Sequence, residues 1–187
     1  ALLGTGCDCR VILPLYSAVP EKFRENMEKI GEFKVWLGWR NLYCGLFKTV
    51  YNGVTFYFID NEYYFKREAI YGQFDDGERF AYFSMAVLEA VKYMDFEPEV
   101  IHCHDWQTGL VPVYLKDCFA QGEFYQGIKS IMTIHNLKFQ GVWDVKTVRD
   151  IAGLSDYYFT SDKLRCYDDA NLLKGGIVYA DYVTTVS

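Results

Sequence analysis

The chain of 187 residues carries 19 Lys and Arg against 25 Asp and Glu, which gives a formal net charge of −6 at pH 7. Hydrophobic residues make up 51% of the sequence and proline only four positions, a composition that excludes disordered, collagen-like and low-complexity proteins. The acidic balance, with no basic run longer than Lys66-Arg67, predicts no nucleic acid and no membrane surface as a partner. The longest uncharged stretch, from Thr49 to Ile59, is also too short to span a bilayer.

The cysteines and the first residues predict a cellular location. Six cysteines, at positions 7, 9, 44, 103, 118 and 166, include no Cys-x-x-Cys pair. A domain of this size forms a sufficient core without disulfides, so we expect reduced cysteines. The first residues contain neither a starting Met nor the basic and apolar segments of a secretory signal. We therefore predict a cytoplasmic protein.

The first half of the chain contains a short strand, one strong turn signal and one helix. Cys9 to Tyr16 is a short apolar run closed by Pro14, which is typical of a buried strand that stops at its C-terminal end. Asn52-Gly53 lies between the strand-like segments Phe47–Tyr51 and Val54–Ile59 and predicts a β-hairpin. A helix is expected from Asp75 onward, because acidic residues precede an apolar stripe with steps of three and four.

After Pro98, short apolar runs alternate with helix-like stretches. The runs are Val100–Cys103, Ser130–Ile134 and Tyr182–Val186, and the helix-like stretches are Gly109–Phe119, Val145–Gly153 and Ala170–Ala180. Apolar runs without alternation favour strands that are buried on both faces. The sequence thus predicts an α/β fold, a Rossmann-like, mainly parallel sheet with helices on both faces and right-handed crossovers. With no linker or internal repeat, residues 1–187 are expected to form a single domain.

Polar residues follow two of these runs, at the point where ligands bind in parallel α/β sheets. Beyond Cys103 the sequence reads His104-Asp-Trp-Gln-Thr-Gly109, and beyond Ile134 it reads His135-Asn-Leu-Lys-Phe-Gln-Gly141. Carboxylates, amides and neutral imidazoles recognise sugar hydroxyls, and aromatic rings pack on the apolar face of a pyranose. The pattern indicates a sugar or sugar-nucleotide site. The candidate polar residues are Asp105, Gln107, His135, Asn136 and Gln140, and the candidate aromatic residues are Trp106, Phe139 and Trp143.

Each candidate also has a structural alternative. Trp106 and Trp143 are rings of a kind that usually packs in cores, His102 lies within a strand as a hydrogen-bonded core histidine would, and a strand-end Asp often caps the next helix. A metal hydrolase is a further alternative, because His102-Cys-His-Asp105 contains four potential ligands. The spacing argues against it, since neighbouring strand residues point to opposite faces and a His-x-His-x-Asp motif needs its Asp at position 106.

The two strand-end motifs resemble those of the bacterial glycogen synthase and plant starch synthase family. The family motifs are His-Asp-Trp-(His/Gln)-(Ala/Thr)-(Gly/Ala) and Thr-(Val/Ile)-His-Asn-Leu-x-(Tyr/Phe)-Gln-Gly, which stand here as His104–Gly109 and Thr133–Gly141. The resemblance extends over nearly the whole chain. It includes Arg10–Pro14, Tyr51–Val54, Ile59–Asn61, Tyr71-Gly72, Leu173–Asp181 and Thr185–Ser187.

This resemblance implies the N-terminal half of a GT-B glycosyltransferase. Such enzymes transfer glucose from ADP-glucose to the 4-hydroxyl of an α-1,4-glucan, with retention of configuration and without a metal or other cofactor. By motif position, His135 resembles the histidine that contacts the donor glucose near its 6-hydroxyl, and Asp105 resembles the aspartate where donor and acceptor meet, so these two are the predicted catalytic residues. The predicted substrate-binding residues are Tyr71, Trp106, Gln107, Asn136 and Gln140.

The chain departs from the family pattern at both ends. The family begins with a strand and a Lys-x-Gly-Gly-Leu-x-Asp loop that cradles the nucleotide diphosphate, and it continues beyond Ser187 into a C-terminal domain. We therefore expect a domain that is truncated at both ends, lacks its first strand and is catalytically inert alone. Two alternatives stay open: a related GT-B transferase that uses UDP-glucose, and a non-catalytic glucan-binding module.

Overall fold

A computed structural model of the chain describes residues 2–186, so Ser187 at the end of the last motif lies outside the described residues. The strands are β1 (Val11–Pro14), β2 (Glu28–Leu37), β3 (Arg40–Tyr51), β4 (Val54–Asp60), β5 (Val100–His104), β6 (Lys129–Ile134), β7 (Val142–Asp144), β8 (Arg165–Cys166), β9 (Asp169–Asn171) and β10 (Tyr182–Thr185). The α-helices are α1 (Glu21–Arg24), α2 (Glu62–Phe65), α3 (Asp76–Ala90), α4 (Leu110–Lys116), α5 (Val145–Ala152) and α6 (Leu172–Tyr179). The alternation of strands and helices from β5 onward confirms the predicted α/β class.

The first sheet contains the predicted hairpin. Its strand order is β1-β4-β3-β2, in which β1 and β4 are parallel and the other neighbours antiparallel. Asn52 and Gly53 have φ angles of 48° and 77°, the two-residue geometry whose twist matches a hairpin. The hairpin prediction is confirmed. β3 begins earlier than expected, at Arg40, because it pairs along most of its length with the additional strand β2.

The second sheet is parallel throughout, with the order β10-β6-β5. On one face Cys103 and Met132 are buried, and α6 approaches so closely that a Cβ on Gly176 would overlap the Met132 side chain. On the other face His102 and His104 are exposed. Within residues 2–186 β5 and β6 are therefore buried mainly on one face and β10 is exposed along its length. The prediction that His102 is a core residue is wrong, because its side chain is exposed.

A third, small sheet joins the predicted sugar-binding loop to α6. It has the antiparallel order β7-β9-β8 and was not expected from the sequence. The segment Ala170–Ala180, predicted as one helix, begins in β9 and becomes helical only at Leu172. Asn171 explains this boundary, because its side chain accepts a hydrogen bond from the Lys174 N–H at 2.8 Å and so caps α6.

Helix α3 forms the centre of the core, as its apolar stripe predicts. Phe80, Phe83 and Val87 are buried, and the helix packs on β2, α4 and α5. All six cysteines are free in the structure. No helix among the described residues is both long enough and apolar enough to cross a membrane.

Candidate functional site

Asp105 is held in a strained backbone conformation directly after β5. Its φ and ψ angles of 56° and −175° lie close to a region that residues other than glycine avoid at a cost of about 1–3 kcal/mol. Its N–H donates to the Thr133 carbonyl at 3.0 Å, and its carbonyl accepts from the Thr108 N–H at 3.2 Å. These bonds hold the conformation in place, and strain of this kind concentrates at functional sites.

The strained backbone directs the Asp105 carboxylate toward the end of the neighbouring strand β6. Oδ1 accepts hydrogen bonds from the backbone N–H of His135 at 2.7 Å and of Asn136 at 3.3 Å. The side chain does not cap the following turn at Trp106–Thr108, so the helix-cap alternative for Asp105 is wrong. The carboxylate instead joins the ends of β5 and β6, and within residues 2–186 its Oδ2 makes no hydrogen bond and stays open to a ligand.

His104 and His135 form a pair beside this carboxylate. His104 Nδ1 lies 3.0 Å from His135 Nε2, a distance at which one nitrogen donates and the other accepts. Partial burial lowers the pKa of His104, and the neighbouring His102 and His135 lower it further while Asp105 opposes them. His104 is therefore neutral at pH 7. His135 keeps Nδ1 available, as donor or acceptor according to the tautomer.

A hydroxyl relay continues from this pair across the exposed face of the parallel sheet. His102 Nε2 lies 2.6 Å from the buried Thr133 Oγ1, which lies 2.6 Å from Thr184 Oγ1. Burial and the nearby His135 lower the pKa of His102, so it too is neutral at pH 7. The sequence interpretation of His102 is thus right about hydrogen bonding and wrong about burial.

Trp106 packs beneath the site rather than lining it. Its ring is 8% exposed and contacts Phe80 and Trp143, with ring centroids 5.2 and 5.4 Å apart. Gly141, at a φ of 65°, passes so close that an added Cβ would lie 2.5 Å from Trp106 Cε3. The structure thus gives Trp106 the packing role that the sequence left as an alternative, and this packing fixes Asp105 relative to α3.

Of the remaining candidates in the two motifs, one is hydrogen-bonded within the fold and the others are at least partly exposed. Gln140 accepts a hydrogen bond from Asn171 Nδ2 at 2.6 Å and donates to the Leu137 carbonyl at 3.0 Å, so it links the loop to the start of α6. Asn136 is exposed next to His135, and its Oδ1 accepts from the Lys138 N–H at 3.0 Å. Gln107 is half-buried and Phe139 is exposed. The structure brings Asp105, His135 and Asn136 together, whereas Gln140 is engaged within the fold.

Tyr71 lies on a separate loop, between α2 and α3, and its side chain is exposed. The fully buried Arg79 holds this loop, because its guanidinium donates to the carbonyls of Tyr64 at 2.7 Å and Ile70 at 3.2 Å. Arg79 also pairs with Asp76 at 2.5 Å, and Asp76 accepts from the Gly72 N–H at 2.6 Å. The sequence interpretation missed this pair. The signal was an Asp and an Arg three residues apart at the start of an otherwise apolar helix.

The metal alternative has no donor set among residues 2–186, where no group of three or more His, Cys, Asp or Glu side chains could hold a metal ion. His104 faces His135 and His102 faces Thr133, so one ring nitrogen of each histidine is engaged with another histidine or with a hydroxyl. The arrangement offers hydrogen bonds and one carboxylate to a ligand, which fits a neutral, hydroxyl-rich molecule.

Comparison with known proteins connects this geometry to a family. The model of the starch synthase catalytic domain family matches residues 1–187. The chain is 61% identical over 184 residues to a protein named glycogen synthase from Lachnospira eligens, covering 98% of this chain and 38% of that protein. It is 58% identical over 181 residues to another of the same name from Lachnoclostridium phytofermentans, again covering 38% of that protein.

A solved structure agrees with these relatives. It is described as the catalytic domain of starch synthase IV from Arabidopsis thaliana bound to ADP and acarbose, and it matches the whole of this chain with a TM-score of 0.90 and 27% identity. The match covers 39% of that structure, so the chain spans about two fifths of the proteins it resembles. The fold expected from the motifs, the Rossmann-like N-terminal half of a GT-B enzyme, is therefore confirmed. The chain belongs to the starch synthase catalytic domain family.

Proposed function

We propose that the protein to which this chain belongs is a glucosyltransferase that adds glucose from ADP-glucose to the 4-hydroxyl of an α-1,4-glucan. The observation that carries the proposal is the Asp105 carboxylate, bonded through Oδ1 to the His135 and Asn136 N–H groups and open at Oδ2. Asp105, His135 and Asn136, at the ends of β5 and β6, form what we call the Asp105 edge. This edge would hold the glucose unit that is transferred. The transfer is the retaining reaction that the sequence motifs imply.

The chemistry of the transfer explains why such an edge is useful. Positive charge develops at the anomeric carbon as the bond to the phosphate oxygen lengthens, and a fixed carboxylate stabilises that charge through its field. Asp105 needs little reorganisation in this role, because its backbone is already bonded to β6 and its Oδ1 to the residues that follow β6. Rigid positioning of both sugars also lowers the entropic part of the barrier.

His135 would position the donor sugar through its free Nδ1. When His135 donates from Nε2 to His104, its Nδ1 accepts a hydrogen bond from a sugar hydroxyl; when His104 is the donor, Nδ1 carries the proton and donates instead. We assign Tyr71, Gln107 and Asn136 to further substrate contacts. Trp106 and Gln140 would not contact the substrate directly but would position the loops that carry Asp105 and His135.

The donor is proposed as ADP-glucose because the curated relatives are named glycogen synthases and the similar Arabidopsis structure has ADP and acarbose bound. UDP-glucose is the competing donor. We place the reaction in the cytoplasm, a location that suits six free cysteines.

The test uses the product of the complete gene. Incorporation of labelled glucose into glycogen is expected with ADP-glucose and at most weakly with UDP-glucose. His135→Ala should lower kcat/KM about 10- to 150-fold, the loss of one oriented hydrogen bond worth roughly 1.5–3 kcal/mol. Lys138→Ala is the matched control, because Lys138 is exposed in the same loop at the position that the family motif leaves variable.

Equal rates for wild type and His135→Ala would remove His135 from the site. Incorporation of glucose from UDP-glucose but not from ADP-glucose would show that UDP-glucose is the donor. Glycogen binding without incorporation from either donor would favour the non-catalytic glucan-binding module.

A further inference from the structure

An exposed tryptophan outside the candidate site is fixed in orientation. Trp39, in the turn between β2 and β3, is 73% exposed, yet its Nε1 donates to Asp150 Oδ1 at 3.0 Å. The Arg40 guanidinium lies 4.5 Å from the centre of the ring, and its Nη2 bonds to Asp150 Oδ2 at 2.7 Å. Arg40 is itself held by Glu78 of α3 at 3.3 Å. A large apolar ring is therefore presented to solvent in one orientation.

This ring borders a preformed groove of about 650 Å³ between the β2–β3 turn and α5, which we call the Trp39 groove; residues 38–39, 146, 147, 149–151 and 153 line it. Two glycines with positive φ, Gly38 at 59° and Gly153 at 66°, bring its walls together. An added Cβ on Gly153 would lie 2.5 Å from the Gly38 nitrogen, so the approach requires glycine there. The Arg40 Nη1 bond to the Asp150 carbonyl, at 3.2 Å, closes the same junction.

Two of the three charged residues that line the groove are already paired with opposite charges. Hydrogen bonds from Arg40 and Trp39 lower the pKa of Asp150, so the carboxylate is ionised at neutral pH. Arg149 is paired with Asp156 at 2.7 Å. Of the charged residues that line the groove, Asp150 is paired with Arg40 and Arg149 with Asp156, and Lys146 makes no ion pair among the described residues. Paired groups of this kind offer hydrogen bonds to a ligand without requiring that it carry charge.

A flat ring beside paired charged groups and a hydroxyl is the combination that recognises a pyranose. The C–H face of the sugar packs on the indole, and its vicinal hydroxyls bond to carboxylate, guanidinium and hydroxyl groups in the plane beyond the ring. Asp150, Arg149 and Thr147 supply these groups along one wall of the groove. A groove open to solvent also admits a chain of sugar units rather than a single one.

The groove is connected to the candidate site through the packing of α3. Ile151, at one wall, and Trp143 meet at Gly77, where an added Cβ would lie 2.8 Å from Ile151 Cδ1 and 3.3 Å from the Trp143 ring. Trp143 contacts Trp106, the residue after Asp105. The two places are separate surfaces of one packed unit.

We propose that the Trp39 groove binds a segment of α-1,4-glucan at a second site, separate from the Asp105 edge, and so anchors a polymeric acceptor. The proposal rests on the proposed function for the identity of the glucan. It assigns to Trp39 the stacking contact and to Asp150 the hydrogen bonds to sugar hydroxyls.

The first experiment measures glycogen binding by the product of the complete gene in affinity electrophoresis, with no donor sugar present. Trp39→Ala should weaken binding about 3- to 10-fold, the range expected for one stacking contact, and Trp39→Phe should retain part of the affinity. Trp36→Ala is the matched control, because Trp36 is a 61% exposed tryptophan of β2 that does not line the groove. Unchanged binding by Trp39→Ala, or an equal loss in Trp36→Ala, would overturn the proposal.

Kinetics separate this site from the Asp105 edge. With glycogen as acceptor, Trp39→Ala should raise KM about 3- to 10-fold, whereas kcat with maltotriose should not change, because a short acceptor does not reach both sites. A fall in kcat with maltotriose would mean that Trp39 acts in catalysis and not in anchoring.

A second measurement needs no substitution. Hydrogen exchange of the unsubstituted protein with maltoheptaose should show protection of residues 38–40 and 146–153, and its absence there would contradict the proposal. Protection by inorganic phosphate instead, or a change in oligomeric state on substitution of Trp39, would assign the groove to an anion or to a second copy of the chain. Because the binding assays contain no donor, their outcome is independent of whether glucose transfer from ADP-glucose is observed.

Discussion

Two loops near the candidate site are held by opposite physical means. The loop before α3, which carries Tyr71, is fixed by the buried pair of Arg79 and Asp76, whose polar atoms are used within the fold. The Asp105 edge is fixed by hydrogen bonds to backbone N–H groups, and it leaves Oδ2 of the carboxylate and Nδ1 of His135 open within residues 2–186. The polar groups of the buried pair are used by hydrogen bonds within the fold, whereas the Asp105 edge has polar atoms that remain able to bond to a ligand.

This difference separates stability from function. A buried ion pair that loses one partner leaves an uncompensated charge, so substitutions at Arg79 should act mainly on folding. A strained, half-buried carboxylate with one oxygen free of hydrogen bonds contributes little to stability by itself, so a substitution that keeps its geometry should act mainly on the reaction. Substitutions in the two loops should therefore differ in whether they lower stability or activity.

The largest effect is expected for Arg79→Ala. The substitution leaves Asp76 buried without its partner and frees the carbonyls of Tyr64 and Ile70, so the free energy of unfolding should fall by about 3–5 kcal/mol. Urea unfolding monitored by circular dichroism measures this loss. Lys66→Ala is the control, since Lys66 pairs with Glu62 at 3.2 Å with 66% of its side chain exposed and should cost less than about 1 kcal/mol. Equal losses in the two variants would mean that burial of the pair does not decide its effect.

For Asp105→Asn we expect a large loss of activity and little loss of stability. Asparagine tolerates positive φ and keeps an acceptor for the His135 N–H, so stability should change by less than about 1 kcal/mol. Loss of the charge should lower kcat for glucose transfer about 100-fold, as for other fixed groups that stabilise transition-state charge. Steady-state kinetics and urea unfolding of the same preparation provide both numbers.

Asp105→Ala sharpens this test. It removes the acceptor as well as the charge, so the free energy of unfolding should fall by a further 1–3 kcal/mol or so. An asparagine variant with normal kcat would show that the carboxylate serves the fold alone.

The same contrast explains what the sequence could predict. The hairpin at Asn52-Gly53 depends on two adjacent residues, and the position of Asp105 and His135 depends on strand ends that meet at one edge of a parallel sheet. Both are local or topological rules, and both predictions are confirmed by the backbone. The burial of Trp106 was foreseen only as an alternative, because it depends on Phe80 and Gly141, which are distant along the chain.

Other features have no local signal. No residue pattern around Asp105 indicates its φ of 56°. That conformation is held by hydrogen bonds from its N–H to Thr133 in β6 and to its carboxylate from His135, just after β6. His102 was expected in the core because apolar runs usually mark strands covered on both faces, yet its face of β5 is exposed in residues 2–186. The Trp39 groove likewise depends on Gly38 and Gly153, which are distant in sequence and adjacent only after folding.

The smallest effect, and the most specific to the open edge, is expected for His104. His104→Ala removes the partner that orients His135 Nε2, and kcat/KM should fall about 3- to 10-fold, the value of one neutral hydrogen bond. His104→Gln can still bond to Nε2 and should recover part of this loss. A purely structural role for His104 would instead change stability in both variants and leave kcat/KM near that of wild type.

The pH dependence follows from the lowered pKa of His104, which burial causes first and the neighbouring His102 and His135 increase. Between the ordinary histidine pKa, near 6.5, and the lower folded value, the unfolded chain binds the proton and the folded chain does not. Stability from the neutral ring is therefore complete above about pH 6.5 and declines as the pH falls through the folded pKa.

Once charged, His104 can only donate to His135, which removes one tautomer of the pair. The kcat/KM of the wild type should accordingly fall as the pH is lowered. It should fall less steeply in His104→Gln, which has no proton to gain at this position. Superimposable profiles of kcat/KM from pH 5 to 8 would exclude His104 as the group that sets the tautomer.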